Sequence, residues 1–551
     1  MKRLLSCALC ALLLFSICGC TLTPTPLPQP TDAEVETLTP DPTVQTPSPL
    51  PSGVTVVTDY SAYAPKTYPQ ANYTRLTEEP ILDLAVSGRG NIYPFAAAPL
   101  YSNGEDGYAY VSGHYYGFVT EDGCIVCDPT YIDVSTVNVY DGTSARYTAL
   151  PLWRFSRTAN VRDEIYGDYS WPEGDTLYGV AAMDGSFVLD CEFRSIIGTK
   201  DGFIAYRDWG TTDFEVYDLN GKLLFDGSAV ADLPIDGSYC GLESGGDVYL
   251  YYNGGNYYAL DSQGSVLFGP METIYSYADG LAAASLDGDN YGYIDTAGNW
   301  VIAPQYESAS SFRNGRATVQ DGRTAKLIDR TGKVLLSLDN GYLSDCGDDY
   351  YFGSDNDDVE RYYDRSGNLV LEGAPGEYWG YVGGSLFYAS NDGSMTLRDL
   401  DSGKTLELGN ADYFYSIFDY DFGYVSDGLY TYNGEPCYIA VKWVYDETDY
   451  AGYTVYTFIS EDLEILGVRN DLYLYFAGDL LTGDCYQILE LASGVREYYR
   501  PDGTLLGAFP RGATVLIADG NVIVTDDYSA KFIDRDGVER FCLPLLSVLE
   551  D

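Results

Sequence analysis

A tight-turn signal returns at a nearly constant interval along this chain, and that interval restricts the fold more than any other feature. The turn glycines Gly298, Gly332 and Gly367 stand 34 and 35 residues apart. Each closes an Asp-x-x-Gly segment: Asp295-Thr296-Ala297-Gly298, Asp329-Arg330-Thr331-Gly332 and Asp364-Arg365-Ser366-Gly367. Alternating aromatic and aliphatic residues precede the turn and a β-branched run follows it, as in Tyr291-Gly292-Tyr293-Ile294 and Trp300-Val301-Ile302. Such a unit reads as a β-hairpin, because glycine supplies the positive φ of a tight turn while the flanking strands alternate faces. A fixed period identifies a repeat architecture before any single strand is assigned.

Fainter copies extend the register in both directions, at Tyr217–Gly221, Leu260–Gly264, Asp399–Gly403, Arg500–Gly503 and Ile533–Gly537. Tyr116-Gly117 with Gly123, and Tyr178-Gly179 with Gly185, keep the six-residue spacing of Gly292 and Gly298. About a dozen units fit, provided the gaps Gly123–Gly185 and Gly403–Gly503 hide degenerate ones. No helical pattern intervenes, so neighbouring strands are expected to be antiparallel. The expectation is an all-β chain of tandem antiparallel hairpins, propeller-like, in one or two propellers, with a β-solenoid as the alternative. A composition of 54 Tyr, 59 Gly and only 4 Met suits strands and turns rather than long helices.

The copy from Tyr291 to Ala317, with Ile294-Asp295, Gly298, Val301-Ile302-Ala303-Pro304-Gln305-Tyr306, Phe312, Gly315 and Ala317, resembles the WG-repeat family of bacterial tandem repeats. Tyr291 stands where the family carries its name-giving Trp. The resemblance is fullest over Tyr258–Leu371 and fades between Leu406 and Leu491. It implies a propeller-like binding or scaffolding protein without an established chemistry of its own.

The N-terminus reads as an address. Lys2 and Arg3 precede an apolar run from Ser6 to Ile17, the layout of a signal peptide and too short for a membrane span. Ile17-Cys18-Gly19-Cys20 resembles the bacterial lipobox, which implies that Cys20 receives a diacylglycerol and becomes the new N-terminus. The Pro- and Thr-rich stretch from Thr21 to Gly53 excludes packing and favours extended segments, so it reads as a stalk. The expected organisation is a signal peptide over 1–19, a lipidated Cys20 and linker over 20–54, and repeat domains over 55–340 and 341–551, with the division where the 34-residue register begins to fade.

The net charge of −51 excludes nucleic acid and anionic surfaces as natural partners, because binding them requires Lys and Arg to displace counterions. Candidate chemistry is sparse. His114 is the single histidine and lies in an expected strand, which removes His-rich metal sites and leaves any catalytic triad resting on one residue. Cys124 and Cys127 have redox-motif spacing but sit in a strand, where residues three apart face opposite ways. Cys191, Cys240, Cys346, Cys437, Cys485 and Cys542 are scattered and read as small buried hydrophobes. The acidic runs Asp287–Asn290, Asp355–Asp358 and Asp534–Glu539 lack a complete calcium loop and read as turn chemistry. Tyr249–Tyr252, Tyr350–Phe352 and Tyr413–Tyr415 offer either sugar-stacking platforms or ordinary half-exposed strands.

No catalytic, cofactor or metal residue is expected. The expected role is a non-enzymatic module outside the cell, held to the membrane through the lipid on Cys20 and presenting its repeats to a glycan, peptide or protein partner. An exported carbohydrate-active enzyme, with Asp or Glu at a propeller mouth, is the competing reading. Replacing Cys20 by Ser is expected to abolish labelling of the chain by radioactive palmitate and to release it from the membrane fraction; retention of both would refute the anchor.

Overall fold

The computed structural model describes residues 90–544, apart from 104–108, 122, 124, 142–145, 159–175, 209, 235–239, 347–348, 355–358, 375–376, 392–393, 411–412, 416–429, 433–434, 446–451, 492 and 527–528. Among the described residues the strands fall into eleven antiparallel sheets, each built from consecutive strands, with no α-helix and a single four-residue 3-10 turn at Gly227–Val230. The sheets are the blades of a β-propeller, numbered 1 to 11 in chain order. Blade 1 spans Ile92–Tyr131, blade 2 Asp133–Phe193, blade 3 Ser195–Asp226, blade 4 Gly241–Met271, blade 5 Thr273–Tyr306 and blade 6 Ser308–Asp339. Blade 7 spans Tyr342–Glu372, blade 8 Tyr378–Asn410, blade 9 Tyr413–Arg469, blade 10 Leu472–Pro510 and blade 11 Thr514–Pro544.

The recurring turn joins the last two strands of every blade. The residue that closes it has φ between 60° and 85° in all eleven. Ten are glycines, and the eleventh is Leu463 of blade 9, where Ser460 replaces the Asp and its hydroxyl accepts the Glu464 N–H at 3.1 Å. That copy is the unit hidden between Gly403 and Gly503. The gap between Gly123 and Gly185 hides no second unit: it is blade 2 alone, with first and second strands of nine and 13 residues. The structure thus resolves the expected dozen units into eleven.

Blades hold one another through their turns. A Cβ placed on Gly264 would stand 2.8 Å from the Phe225 ring of blade 3, one on Gly298 would stand 2.6 Å from Phe268 of blade 4, and one on Gly332 3.5 Å from Ile302 of blade 5. In each case the platform residue is the fourth after the preceding turn glycine: Phe225 after Gly221, Phe268 after Gly264, Ile302 after Gly298. Gly123 of blade 1 stands in the same way against Phe541 of blade 11, four residues after Gly537. Ring closure therefore repeats the contact used between consecutive blades.

Every pair of neighbouring blades shares an apolar cluster, as the flat faces of stacked sheets require. Leu152 and Phe203 join blades 2 and 3, Leu327 and Leu343 join 6 and 7, and Phe458 and Leu472 join 9 and 10. Phe118, Phe155 and Phe532 lie in one cluster that spans blades 11, 1 and 2. Tyr93 of blade 1 packs its ring 5.2 Å from Phe532 of blade 11 and accepts a 3.0 Å bond from the Asn521 side chain. The chain thus closes on itself instead of extending as a solenoid. The division expected at 340/341 falls between blades 6 and 7, and the Leu327–Leu343 cluster crosses it.

Gly298→Ala is expected to lower stability by about 1–2 kcal/mol for the left-handed backbone and by roughly 1 kcal/mol more for crowding Phe268. Gly403→Ala, with φ +69° and no neighbour within 4 Å, carries the backbone cost alone. Apparent urea midpoints that fall equally for both would refute the inter-blade seat.

Candidate functional site

Within a four-stranded antiparallel blade, the turns after the first and third strands lie at one end of the ring, here the turn end, and the connections between blades lie at the other. The first strands of blades 2 and 3 approach so closely that a Cβ on Gly198 would overlap the carbonyl of Asn138. Fourth strands are the exposed edges, as the pattern of Leu369–Glu372 shows with one buried residue in four. First strands therefore line the axis and fourth strands form the rim.

Exposed apolar side chains sort by this radius. Leu223, Val266, Val301, Val334, Leu369 and Ile465 lie on fourth strands. Among the described residues the exposed tyrosines Tyr140, Tyr342, Tyr378, Tyr473 and Tyr475 lie on first strands, Tyr275 directly follows one, and Tyr147 lies on the second strand of blade 2. Outer aliphatics cover blade edges. Inner tyrosines present apolar ring faces with hydroxyls that stay wet.

One inner element leaves the common plan. In blade 2 the last pairing between second and third strands is Leu152 with Ala182, at the level of the Gly185 turn. The first hairpin continues past that level, pairing Asn138 with Ala149, Tyr140 with Tyr147 and Asp141 with Arg146, after a bulge between Thr136 and Asn138. It projects from the turn end. Val137 and Leu150 are buried at its base in the cluster shared with blade 3, and Val139 packs against that cluster. Tyr140 and Tyr147, 47% and 51% exposed, meet across the two strands with centroids 5.1 Å apart and ring planes tilted by 53°. Burial and the neighbouring Tyr147 hydroxyl push the Tyr140 phenol up, against a lowering influence of the Arg313 guanidinium of blade 6. Arg313 itself is held by Asp345 of blade 7 at 2.8 Å. On the other side, Lys200 of blade 3 is raised by its 2.7 Å bond to Asp247, with Asp141 of the hairpin adding to the effect. The hairpin thus rises at the turn end of the axis-lining strand of blade 2, its base packed against blade 3.

Residues 291–323 match the family model of the WG containing repeat. No curated protein matches the chain. Similar solved structures include the crystal structure of the eukaryotic initiation factor, at 9% identity over 68% of this chain and 95% of that one, with a TM-score of 0.33. The tricorn protease aligns at 11% identity over 84% of this chain and 54% of that one, with a TM-score of 0.24. Apo AztD from Citrobacter koseri aligns at 14% identity over 62% and 94%, with a TM-score of 0.22.

The WG repeat at Tyr291 shows what its motif residues do. Gly292 faces the bulged fourth strand, where a Cβ would overlap the Ile302 carbonyl. Tyr293 is buried and donates its hydroxyl to the Ser310 carbonyl of blade 6 at 2.8 Å. Asp295 accepts the N–H groups of Ala297 and Asn299 at 3.0 and 2.8 Å, and Asp329 those of Thr331 and Lys333 at 2.9 and 3.1 Å. These carboxylates are committed to their turns, which leaves them poorly placed for calcium. Asp287 does the same for Asp289 and Asn290, whose N–H bonds pull it down to about 2, and Asp534 serves Asp536, Val538 and Arg540. Among the described residues no three His, Cys, Asp or Glu side chains converge on a metal position.

The structure separates the remaining candidate residues. Cys20, Cys124 and Asp355–Asp358 lie outside the described residues. His114 pairs with Pro99 in a strand whose side chains there also lie outside them. Cys191, Cys240 and Cys437 are buried thiols, and burial pushes Cys191 up to about 12, far from a reactive thiolate. Tyr249 and Tyr251 are core residues at 7% and 0% exposure, and Tyr351 is buried at 4%, so these runs are packing, not platforms. The side chains of Tyr413–Tyr415 lie outside the described residues. Sequence reasoning passed over the Tyr140–Tyr147 hairpin; its signal was the surplus length between Gly123 and Gly185.

Backbone N–H bonds from Asn299 hold the Asp295 carboxyl below its ordinary value of 3.8, and the Thr331 hydroxyl does so for Asp329. A lowered folded-state value contributes stability that is present above pH 3.8 and lost as pH falls below it. Melting temperature is expected to drop on acidification through that window, and less steeply in Asp329→Asn; identical profiles for variant and parent would refute the turn role.

Proposed function

We propose that this chain is a non-enzymatic repeat protein of the cell envelope, anchored through a lipid on Cys20 and presenting its propeller to a wall polymer, peptide or protein partner. A repeat β-propeller fits a scaffold or binding role. The observation that carries the reading is the placement of exposed tyrosines on the strands that line the axis, while the repeated carboxylates are spent inside turns.

Carbohydrate hydrolysis asks for two carboxyls facing each other roughly 5–10 Å apart. Glu243 and Asp133, on the first strands of blades 4 and 2, are held above the usual range by burial. No second carboxylate figures among the groups that shift either one. Such solitary acids suit a binding wall better than an acid and base pair.

Titrating the full chain carrying Cys20→Ser with neutral glycans, peptidoglycan fragments and cationic peptides, and following melting temperature, tests the role. A bound ligand at a hundredfold excess over Kd stabilises by about 2.7 kcal/mol. A clear shift with one class and no turnover of it is expected; turnover would refute the non-enzymatic reading.

A further inference from the structure

We propose that the Tyr140–Tyr147 pair on the projecting hairpin of blade 2 is a stacking platform for a neutral glycan chain lying over the turn end of the propeller axis. The inference rests on the binding role above and names the ligand class for it.

The hairpin is an extension that the fold does not need. Its paired residues Asn138–Asp141 and Arg146–Ala149 stand beyond the level at which blade 2 is complete, and only their base is buried against blade 3. A bare projecting hairpin gains little stability from its own pairing, yet it carries two large aromatic rings, both about half exposed and in contact at a 53° tilt on one face. Tyrosines of middle strands elsewhere act as bolts between blades: Tyr206 donates to the Leu242 carbonyl at 2.6 Å and Tyr362 to that of Trp379 at 2.8 Å. Tyr140 and Tyr147 face outward instead.

Charge selects the occupant. The chain as a whole, at −51, repels polyanions. A cationic ligand would need carboxylates free to hold it, and Asp345 and Asp247 are already paired with Arg313 and Lys200 at 2.8 and 2.7 Å. Both cations are themselves neutralised, Arg313 by Asp345 and Lys200 by Asp247, so neither is available to clamp an anion. What remains is an uncharged ligand with flat apolar faces and hydroxyls at its edge, which is the chemistry of a sugar ring. Two adjoining tyrosines tilted against each other offer such rings apolar faces and two hydroxyl partners.

The test uses the full chain carrying Cys20→Ser and a series of neutral oligosaccharides, chitohexaose and cellohexaose, measured by calorimetric titration. Tyr140→Ala and Tyr147→Ala are each expected to weaken binding at least about tenfold, while Tyr140→Phe and the rim variant Leu369→Ala leave it within about threefold. Binding is expected to change little between low and high salt, as for an uncharged ligand. Melting temperatures within a few degrees of the parent confirm that the variants fold. Undiminished binding in the double alanine variant would overturn the platform while leaving the binding role intact. No binding of either oligosaccharide by the parent, with binding of a cationic peptide that salt abolishes, would overturn the glycan assignment.

Discussion

The seating of the turn glycine on the outer strand of the preceding blade, seen at Gly123, Gly264, Gly298 and Gly332, is the contact on which the closed ring depends. It joins two requirements at one residue. The turn needs positive φ, and the neighbouring blade needs the space a Cβ would fill, as at Gly298 beneath Phe268. At these joints the platform residue stands four positions after the previous turn glycine, so these repeats carry both halves of the contact. The last blade can then meet the first with Phe541 on Gly123, in the same geometry. A chain of such units has no need for a separate closing device.

The abundance of tyrosine follows from the blade interfaces. A phenylalanine at position 293 or 362 would fill the same volume but leave the Ser310 or Trp379 carbonyl without its bond from the next blade. Tyrosine thus supplies apolar area and one directional bond across each of these interfaces, a combination that fixes how far one blade is rotated against the next. The buried hydroxyls raise the phenol values, Tyr351 up to about 12, because burial disfavours the phenolate. A smaller set of tyrosines is released from that duty and lines the axis, and the functional reading rests on that set.

Acidic residues divide in a similar way. Those in the Asp-x-x-Gly turns accept two backbone N–H groups each and hold the hairpin shut. They account for acidic runs that invite a calcium reading when seen only as sequence. Glu243 and Asp133 stand apart on inner strands, without an acid partner among the groups that perturb them.

Much of the fold was legible because its information is local. Gly298, Gly332 and Gly367, with Asp three residues before each, declare a turn through φ alone, and the alternation on either side declares strands, so the hairpin repeat and the all-β class were available from residue spacing. The degenerate ninth copy was not, since Ser460 and Leu463 achieve the same turn with residues that carry no glycine signal. Nor was the fate of Tyr249, Tyr251 and Tyr351, which the same local pattern leaves undecided between core and surface. The sequence by itself determined the repeating hairpin and the all-β class. Tertiary structure alone decided that eleven blades close into one ring and that the surplus residues of blade 2 rise at its turn end, because both depend on how flat faces far apart in the chain pack together, which no spacing of residues records.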